Sequence, residues 1–456
     1  MTAETSTAPS HERKSLRELL IAWKDRRLGI IFLLGIASGY PWVLFGSAMT
    51  AWLAELGISR SAIGYLGAVA MVYALNFLWA PLLDRNAPAW FNKLGRRRGW
   101  LLLIQIGLLI VTLLLSRTDP AANLTAVGLL MLSIAILSAT QDLVIDAYRV
   151  ELIPRSDSER ISYGSAMATS GWWTGYSLLG AVPFWVVGNL TGGWSTVYIG
   201  LGLIWLAFIA MIFWLAPMPE TAGRVREAGI GLVQRIKTTV FEPLADFFIR
   251  NGLKLAIGIL VFVLLFKVGE AFLGRMSIVF YKEVGFSDAE IGTYSKLLNW
   301  WVTVIFAILG SLINARFGII RGLFIGGIAM AASNLMFAWL AQAGPVPWIL
   351  SLAVVVDGFT AAMGTVAMVA FITTLTSHTF TATQYALLAS IGNLGRTTLA
   401  SGSGWLVDSL GGNWSLFFVL TALAVIPSLQ ILMWLGPKLK SRYPNVFDRR
   451  SSEGDG

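Results

Sequence analysis

The chain contains no cysteine and only two histidines, His11 and His378. Disulfides and thiolate chemistry are therefore excluded, and two histidines so far apart suggest no metal site. Nothing asks for a cofactor. Charge is scarce as well: 13% of the 456 residues are charged, against 56% hydrophobic, where an ordinary soluble chain is roughly 25% charged. The mean hydropathy is +0.70. This excludes a disordered chain and argues against a soluble enzyme, whose core would have to be improbably large. A bilayer is itself the apolar medium and removes that demand. The start, MTAETSTAPSHERKS, has no apolar stretch ending at a small-residue cleavage site, so no cleaved signal peptide is expected. The formal net charge is +9. The cations sit in loops and tails, where they report membrane topology rather than nucleic-acid binding.

What remains is a series of long apolar runs. Twelve are read, at about 28–53, 61–83, 100–116, 123–147, 161–188, 195–215, 252–280, 288–314, 322–342, 348–375, 383–408 and 415–436. They are too long, and lack the period-two alternation, for a β-barrel. Helices are the remaining way to pair every backbone group in lipid. The longest polar stretch between runs, Pro217–Asn251, divides the chain into two six-span halves, the layout of a transporter built from repeats. A faint internal echo agrees: Ala147-Tyr148 falls on Ala370-Phe371, and Leu152 on Leu375. The expected organisation is a lead-in over 1–27, an N-terminal half over 28–216, a linker over 217–251, a C-terminal half over 252–436 and a tail over 437–456.

Cations set the orientation. Nearly all the loop Lys and Arg fall on one side, from Arg13 to Arg27, Arg85 to Arg98, Arg149 to Arg160, the linker, Arg316, Arg321 and the tail. The other side has Arg60, Arg117 and Lys282. Both termini and the linker are expected in the cytoplasm. SLRELLIAWKDRRL reads as a basic amphipathic helix on the inner membrane face, drawn to anionic membrane lipids, or as a solvated lead-in.

Two loops carry a pattern. PLLDRNAPAWFNKLGRRRGW and GSLINARFGIIRG both resemble the G-x-L-x-D-R-x-G-R-R loop signature of the major facilitator superfamily, the first with an insertion. Asp84, Arg85, Asn314 and Arg316 are therefore expected to be gating or topology residues at the membrane edge.

Charges inside the spans are the most informative residues, because each costs several kcal/mol in hydrocarbon unless it faces a cavity or a partner. They are Asp142, Asp146, Lys267, Glu270, Arg275, Lys296, Asp357 and Arg396. Most fall on spans 4, 7 and 10, which with span 1 line the cavity of a major-facilitator arrangement. Span 1 contributes Gly39, Tyr40, Pro41 and Trp42 at a kink. Asp146 can pair with Arg149 or Arg85 as part of the gate. Asp142 lies one turn deeper, toward the cavity. Gln141 can hydrogen-bond a sugar or amide, or join helices. Lys267 and Glu270, three apart, form either a fixed pair or a switchable proton site. Arg396, with Asn393 beside it, can hold an anionic ligand group or pair with Asp357. Trp172 and Trp300 offer indole faces to sugar rings, or simply pack.

LGIASGYPWVL, NFLWAPLLDR, SATQDLVIDAYR, FKVGEAF and AAMGTVAMVAFITTLTSHTFTATQYALLASIGNLGR together resemble the AmpG-type anhydromuropeptide permeases, from about Gly35 to Trp414. The resemblance implies a twelve-helix, all-α membrane protein of the major facilitator fold. It implies proton-driven import of N-acetylglucosaminyl-1,6-anhydro-N-acetylmuramyl peptides across the bacterial inner membrane for cell-wall recycling, a step tied in some bacteria to β-lactamase induction. It places the family's span 1 glycine on Gly39 and its span 4 alanine and glutamine on Ala139 and Gln141. Glu270 stands where other members often have Asp. Some members also carry two further C-terminal spans.

The resulting expectation is a non-enzymatic, monomeric proton symporter with no nucleic-acid partner. Its substrate site is drawn from Gly39, Tyr40, Ala139, Gln141, Asp142, Trp172, Lys267, Trp300, Asn393 and Arg396. Proton coupling falls to Glu270, with Asp142 and Asp357 as alternatives. The rival readings are a permease for another peptide, sugar or acyl-CoA-like anion, a membrane-embedded enzyme on lipid-linked sugars, and a non-transporting sensor. The last two lack a catalytic cluster and a signalling domain.

Overall fold

The computed structural model describes residues 25–76, 79, 83, 88, 94–152, 158–215, 241–303, 305–306, 319–375 and 381–443. Among them every regular element is helical. The N-terminal half comprises span 1 (Arg26–Glu55), span 2 (Arg60–Leu75) and span 3 (Arg96–Ser116). Span 4 is Leu124–Leu152, span 5 runs from Ser158–Trp173 through Thr174–Leu178 to Leu179–Val186, and span 6 is Gly193–Trp214. The C-terminal half has span 7 in two pieces, Leu253–Leu265 and Val268–Val284. Span 8 begins at Asp288–Glu290 and continues through Ile291–Leu297 to 303. Span 9 is Ile319–Ala343 and span 10 Pro347–Leu375. Span 11 is Thr381–Ser401 and Ser403–Ser409, and span 12 is Trp414–Leu423 and Ile426–Arg442.

Over their described residues, eight of these runs are long and apolar enough to cross a membrane by themselves. The other four are spans 2, 5, 8 and 11. Span 2 packs on span 11, and span 5 on span 8. These four therefore form the seam between the halves, while Tyr65, Val182, Trp301 and Trp405 on their outer faces stay exposed.

Two boundaries differ from expectation. The linker holds an amphipathic helix, Glu242–Asn251, which Arg250 ties to Leu375 O and Gln384 at 3.1 and 2.9 Å. Span 12 runs on to Arg442. Hydropathy ends where Lys438, Lys440 and Arg442 begin, but cations suit the negative end of a helix dipole and prolong it. The lead-in lies outside the described residues up to Asp25, which caps span 1 by accepting from Arg27 N at 2.9 Å.

Spans 1 and 5 interlock through glycines spaced four apart, Gly35 and Gly39 against Gly171 and Gly175. A Cβ on Gly39 would sit on the carbonyl oxygen of Trp172, and one on Gly175 on that of Ile36. Such small-residue faces let helix backbones touch and replace the hydrophobic drive that lipid removes. Three stretches widen into π-helical turns, at Val43–Ala48, Thr174–Leu178 and Ile291–Leu297. Wide turns of this kind recur at functional sites.

Candidate functional site: a polar cleft closed at one end

The two halves are clasped at the end that carries Glu55, Arg60, Glu283 and Asp408. Arg60 of span 2 donates to Glu283 of span 7 at 2.8 and 2.7 Å and to Asp408 of span 11 at 3.1 Å. Ser61 donates its amide to the same Asp408 at 2.9 Å, and its hydroxyl also bonds there. Trp414 Nε1 reaches Glu283 at 2.8 Å. Lys282 bonds Glu55 of span 1 at 3.3 Å, and Trp194 bonds that carboxylate too, at 2.9 Å. Beneath this network Gly404 rests on the carbonyl of Arg60, a contact that a Cβ would forbid. A single buried apolar cluster also continues across the seam here, joining Leu53 and Ile63 to Met276, Phe280 and Phe418.

The opposite end is built differently. Among the described residues its polar contacts stay within one half: Arg97 to Glu151 at 2.9 Å, Arg98 to Ile212 O at 3.1 Å, and Arg250 to Asp246 at 2.9 Å. The C-terminal half has its own apolar cluster there, around Phe262, Phe266 and Phe371. The gating candidates Asp84, Arg85, Asn314 and Arg316 lie outside the described residues. Asp146 pairs with Arg149 at 3.1 Å and is two-thirds exposed.

Between the two ends lies a polar cleft. On the N-terminal side, Asp142 accepts from the Ser38 hydroxyl at 2.6 Å. Tyr73 donates to Ser138 at 2.6 Å. Trp42, Tyr73, Trp172, Trp173 and Tyr176 form a continuous aromatic wall, neighbouring ring centroids 4.9–6.1 Å apart. On the C-terminal side, Lys267 sits at the break in span 7, where its backbone leaves the helix. Its ammonium bonds Glu270 at 2.9–3.0 Å and Thr365 at 2.7 Å. Asp357 accepts from Ser333 at 3.1 Å and lies in electrostatic reach of Lys267 and Glu270. Across the seam, Trp300 donates to Thr174 at 3.2 Å, and Arg275 donates to Gly67 O at 2.9 Å.

Some of the residues singled out from the sequence stand elsewhere. Tyr40 points away from the cleft. It is fully buried against Trp205 and Phe208 and donates to Leu201 O at 2.6 Å. Ala139 is fully buried, and Gly39 serves the contact of spans 1 and 5. Gln141 is fully buried too, its Nε2 donating to Ala37 O at 2.7 Å. It joins spans 1 and 4, and its oxygen has no partner among the described residues. Arg396 makes no ion pair with Asp357, while Asn393 beside it is exposed. Lys296 was missing from the expected site. It is 4% exposed, and its ammonium stands 4.2 Å from the Tyr176 ring centroid. Its intramembrane position was the available signal; its surroundings come from span 5, over a hundred residues away.

Comparison with known proteins gives this arrangement a family. The chain is 33% identical to the putative transporter AmpG 4 of Rickettsia conorii over 91% of its own length and 98% of the relative. It is 32% identical to the anhydromuropeptide permease of Escherichia coli K12, over 91% of this chain and 81% of that one. The chain belongs to the AmpG family of transporters. A family model described as acetyl-coenzyme A transporter 1 also matches residues 34–187 of this AmpG-family member.

Solved structures similar to the AmpG-family chain are major facilitator transporters. A bacterial homologue of the lysosomal transporter Spinster, described as inward-facing and unoccupied, aligns with a TM-score of 0.66 at 14% identity, over 94% of this chain and 99% of that one. A D-xylose–proton symporter aligns at 0.63 and 15% identity, over 89% and 97%. At such identities the likeness speaks for the fold, and the fold is that of the major facilitator superfamily.

Proposed function

We propose that this AmpG-family transporter imports N-acetylglucosaminyl-1,6-anhydro-N-acetylmuramyl peptides across the bacterial inner membrane, in symport with protons. The observation that carries the substrate is the identity to the Escherichia coli anhydromuropeptide permease across nine-tenths of the chain. The cleft chemistry supports it. The aromatic wall offers faces to two sugar rings, and hydroxyls and carboxylates suit sugar and amide groups. In the orientation that the loop cations favour, the clasped end is periplasmic. The chain then rests inward-facing, as a monomer with both termini in the cytoplasm.

Glu270 is the proton carrier in this reading, because Lys267 gives it two states. Deprotonated, it holds the lysine. Protonated, it releases the ammonium toward ligand or Thr365. Asp142 and Asp357 stand in the cleft as the other carboxyls. The gate at the cytoplasmic edge falls to Asp84, Arg85, Asn314 and Arg316, together with the Asp146–Arg149 pair.

Uptake of labelled anhydromuropeptide into proteoliposomes, with and without an inward proton gradient, tests the reading. Gradient-stimulated accumulation is expected, and its absence in reconstituted, folded protein overturns it. The match of residues 34–187 to the acetyl-coenzyme A transporter model favours a second reading, an acyl-CoA-like anion. Acetyl-CoA as competitor in the same assay separates the two.

A further inference from the structure

Among the described residues, three cations of the cleft have no carboxylate partner. Lys296 of span 8 is buried, and the aromatic face of Tyr176 is the partner its ammonium finds. Arg275 of span 7 spends one nitrogen on the carbonyl of Gly67, while its Nε is buried and unpaired. It lies in electrostatic reach of Tyr176 and of Arg396 on span 11. Among the described residues no acid pairs with any of the three. The carboxylates of the cleft are used elsewhere: Glu270 on Lys267, Asp357 on Ser333, and Asp142 on Ser38.

Arg275 and Arg396 repel each other, Tyr176 links them to Lys296, and a buried charge is costly unless an opposite charge answers it. An aromatic face recovers part of that cost for Lys296, but it leaves the positive charge in place. A bound anion would answer these charges. A structural ion pair would have brought its acid with it, as Lys267 does with Glu270.

We propose that Lys296, Arg275 and Arg396 form an anion cradle floored by Tyr176, which holds the carboxylate end of the transported molecule. This rests on the transport reading for the ligand's identity, though not for its charge. The cradle also has a position that matters. Tyr176 belongs to the N-terminal half and the three cations to the C-terminal half, and Arg275 already reaches Gly67 across the seam. A bound carboxylate would relieve the repulsion at the place where the halves meet. Ligand charge is thereby linked to the fit of one half on the other. Lys267 bonds Glu270 and Thr365 and is not part of the cradle.

The test is binding to the full chain in lipid nanodiscs. Three probes are used: the anhydromuropeptide, the same molecule with its peptide carboxylates amidated, and acetyl-CoA. Wild type is expected to prefer the acid over the amide by about 10- to 100-fold, the range that charge-assisted hydrogen bonds supply. Lys296→Met should remove most of that preference, read as the ratio of acid to amide binding. Lys296→Arg should restore it. Arg396→Gln, on a different span, should weaken the preference in the same direction and serves if Lys296→Met does not fold. An unchanged acid-to-amide ratio in folded Lys296→Met, or in Arg396→Gln where that variant stands in, overturns the cradle. Tight, Lys296-dependent binding of acetyl-CoA with none of either muropeptide overturns the muropeptide reading and the carboxylate, and leaves an anion cradle that takes phosphate. Failure of the wild type to bind either charged probe overturns both.

Discussion

Arg60→Met should loosen the clasped end. The substitution keeps the aliphatic stem but removes three charge-assisted bonds, two to Glu283 and one to Asp408. Their side chains are about one-third exposed. Each bond therefore falls between a screened surface pair, about 0.2–1 kcal/mol, and a hydrogen bond to a charged group in a drier place, about 1.5–3 kcal/mol. Taking about 1 kcal/mol for each gives about 2–3 kcal/mol for the set. That is about a 30- to 150-fold shift in the equilibrium between clasped and parted ends. A population starting near 99:1 would become roughly balanced, a change on the scale of a ligand-driven population shift. Glu283 keeps Trp414, and Asp408 keeps Ser61, so the fold itself should survive. The assay is electron–electron distance measurement between spin labels on Ala122→Cys and Ala343→Cys, both exposed at this end. The absence of native cysteine makes the labelling clean. Wild type should give a dominant short distance, and Arg60→Met a second, longer population of comparable weight. An unchanged distribution in the folded variant would refute the assignment of these ion pairs as the element that holds the end shut.

Four other outcomes are expected. Gly39→Val should abolish folded protein, because its side chain lands on the Trp172 carbonyl, whereas Gly29→Ala, with open space around it, should express normally; fluorescence-detected size exclusion reads both. Gln141→Met should lower thermal stability by no more than about 1.5 kcal/mol, the upper range for one neutral hydrogen bond, and leave ligand affinity within about twofold; a tenfold loss in binding would place the amide in the ligand site after all. Glu270→Gln, which mimics the protonated acid, should keep substrate exchange and lose accumulation driven by a pH gradient; undiminished accumulation would move the proton to Asp142 or Asp357. Reporter fusions at Arg60, Lys282 and Gly412 should read periplasmic, and a cytoplasmic signal at any of them would contradict the orientation.

The spans were legible because lipid imposes one period and one length, and both survive in any single stretch of chain. The Lys267–Glu270 pair was legible for a similar reason, since residues three apart share a helix face. Features formed between spans were not. Tyr40 stands beside a kink with other aromatics, but a helical period does not say whether a face meets the cleft or the next helix, and here it meets span 6. Arg60 was counted with the loop cations as a topology marker, and nothing near it in sequence shows that Glu283 and Asp408 wait across the seam. The surroundings of Lys296 needed Tyr176, contributed by a span more than a hundred residues away. Nor does any one of spans 2, 5, 8 and 11 show in its own sequence which span it pairs with.

That pairing has a bearing on how the molecule is made. Span 5 ends near Asn189 and its partner, span 8, reaches residue 303. At a ribosomal pace of about 5–20 residues per second, the seam face of span 5 waits for roughly 6–23 s before the helix that will cover it has been synthesised. Span 2 waits longer still for span 11. The newborn N-terminal half thus spends its first seconds with the seam faces of two helices uncovered. Its early survival rests on the glycine lock between spans 1 and 5, which is complete before any of the second half exists.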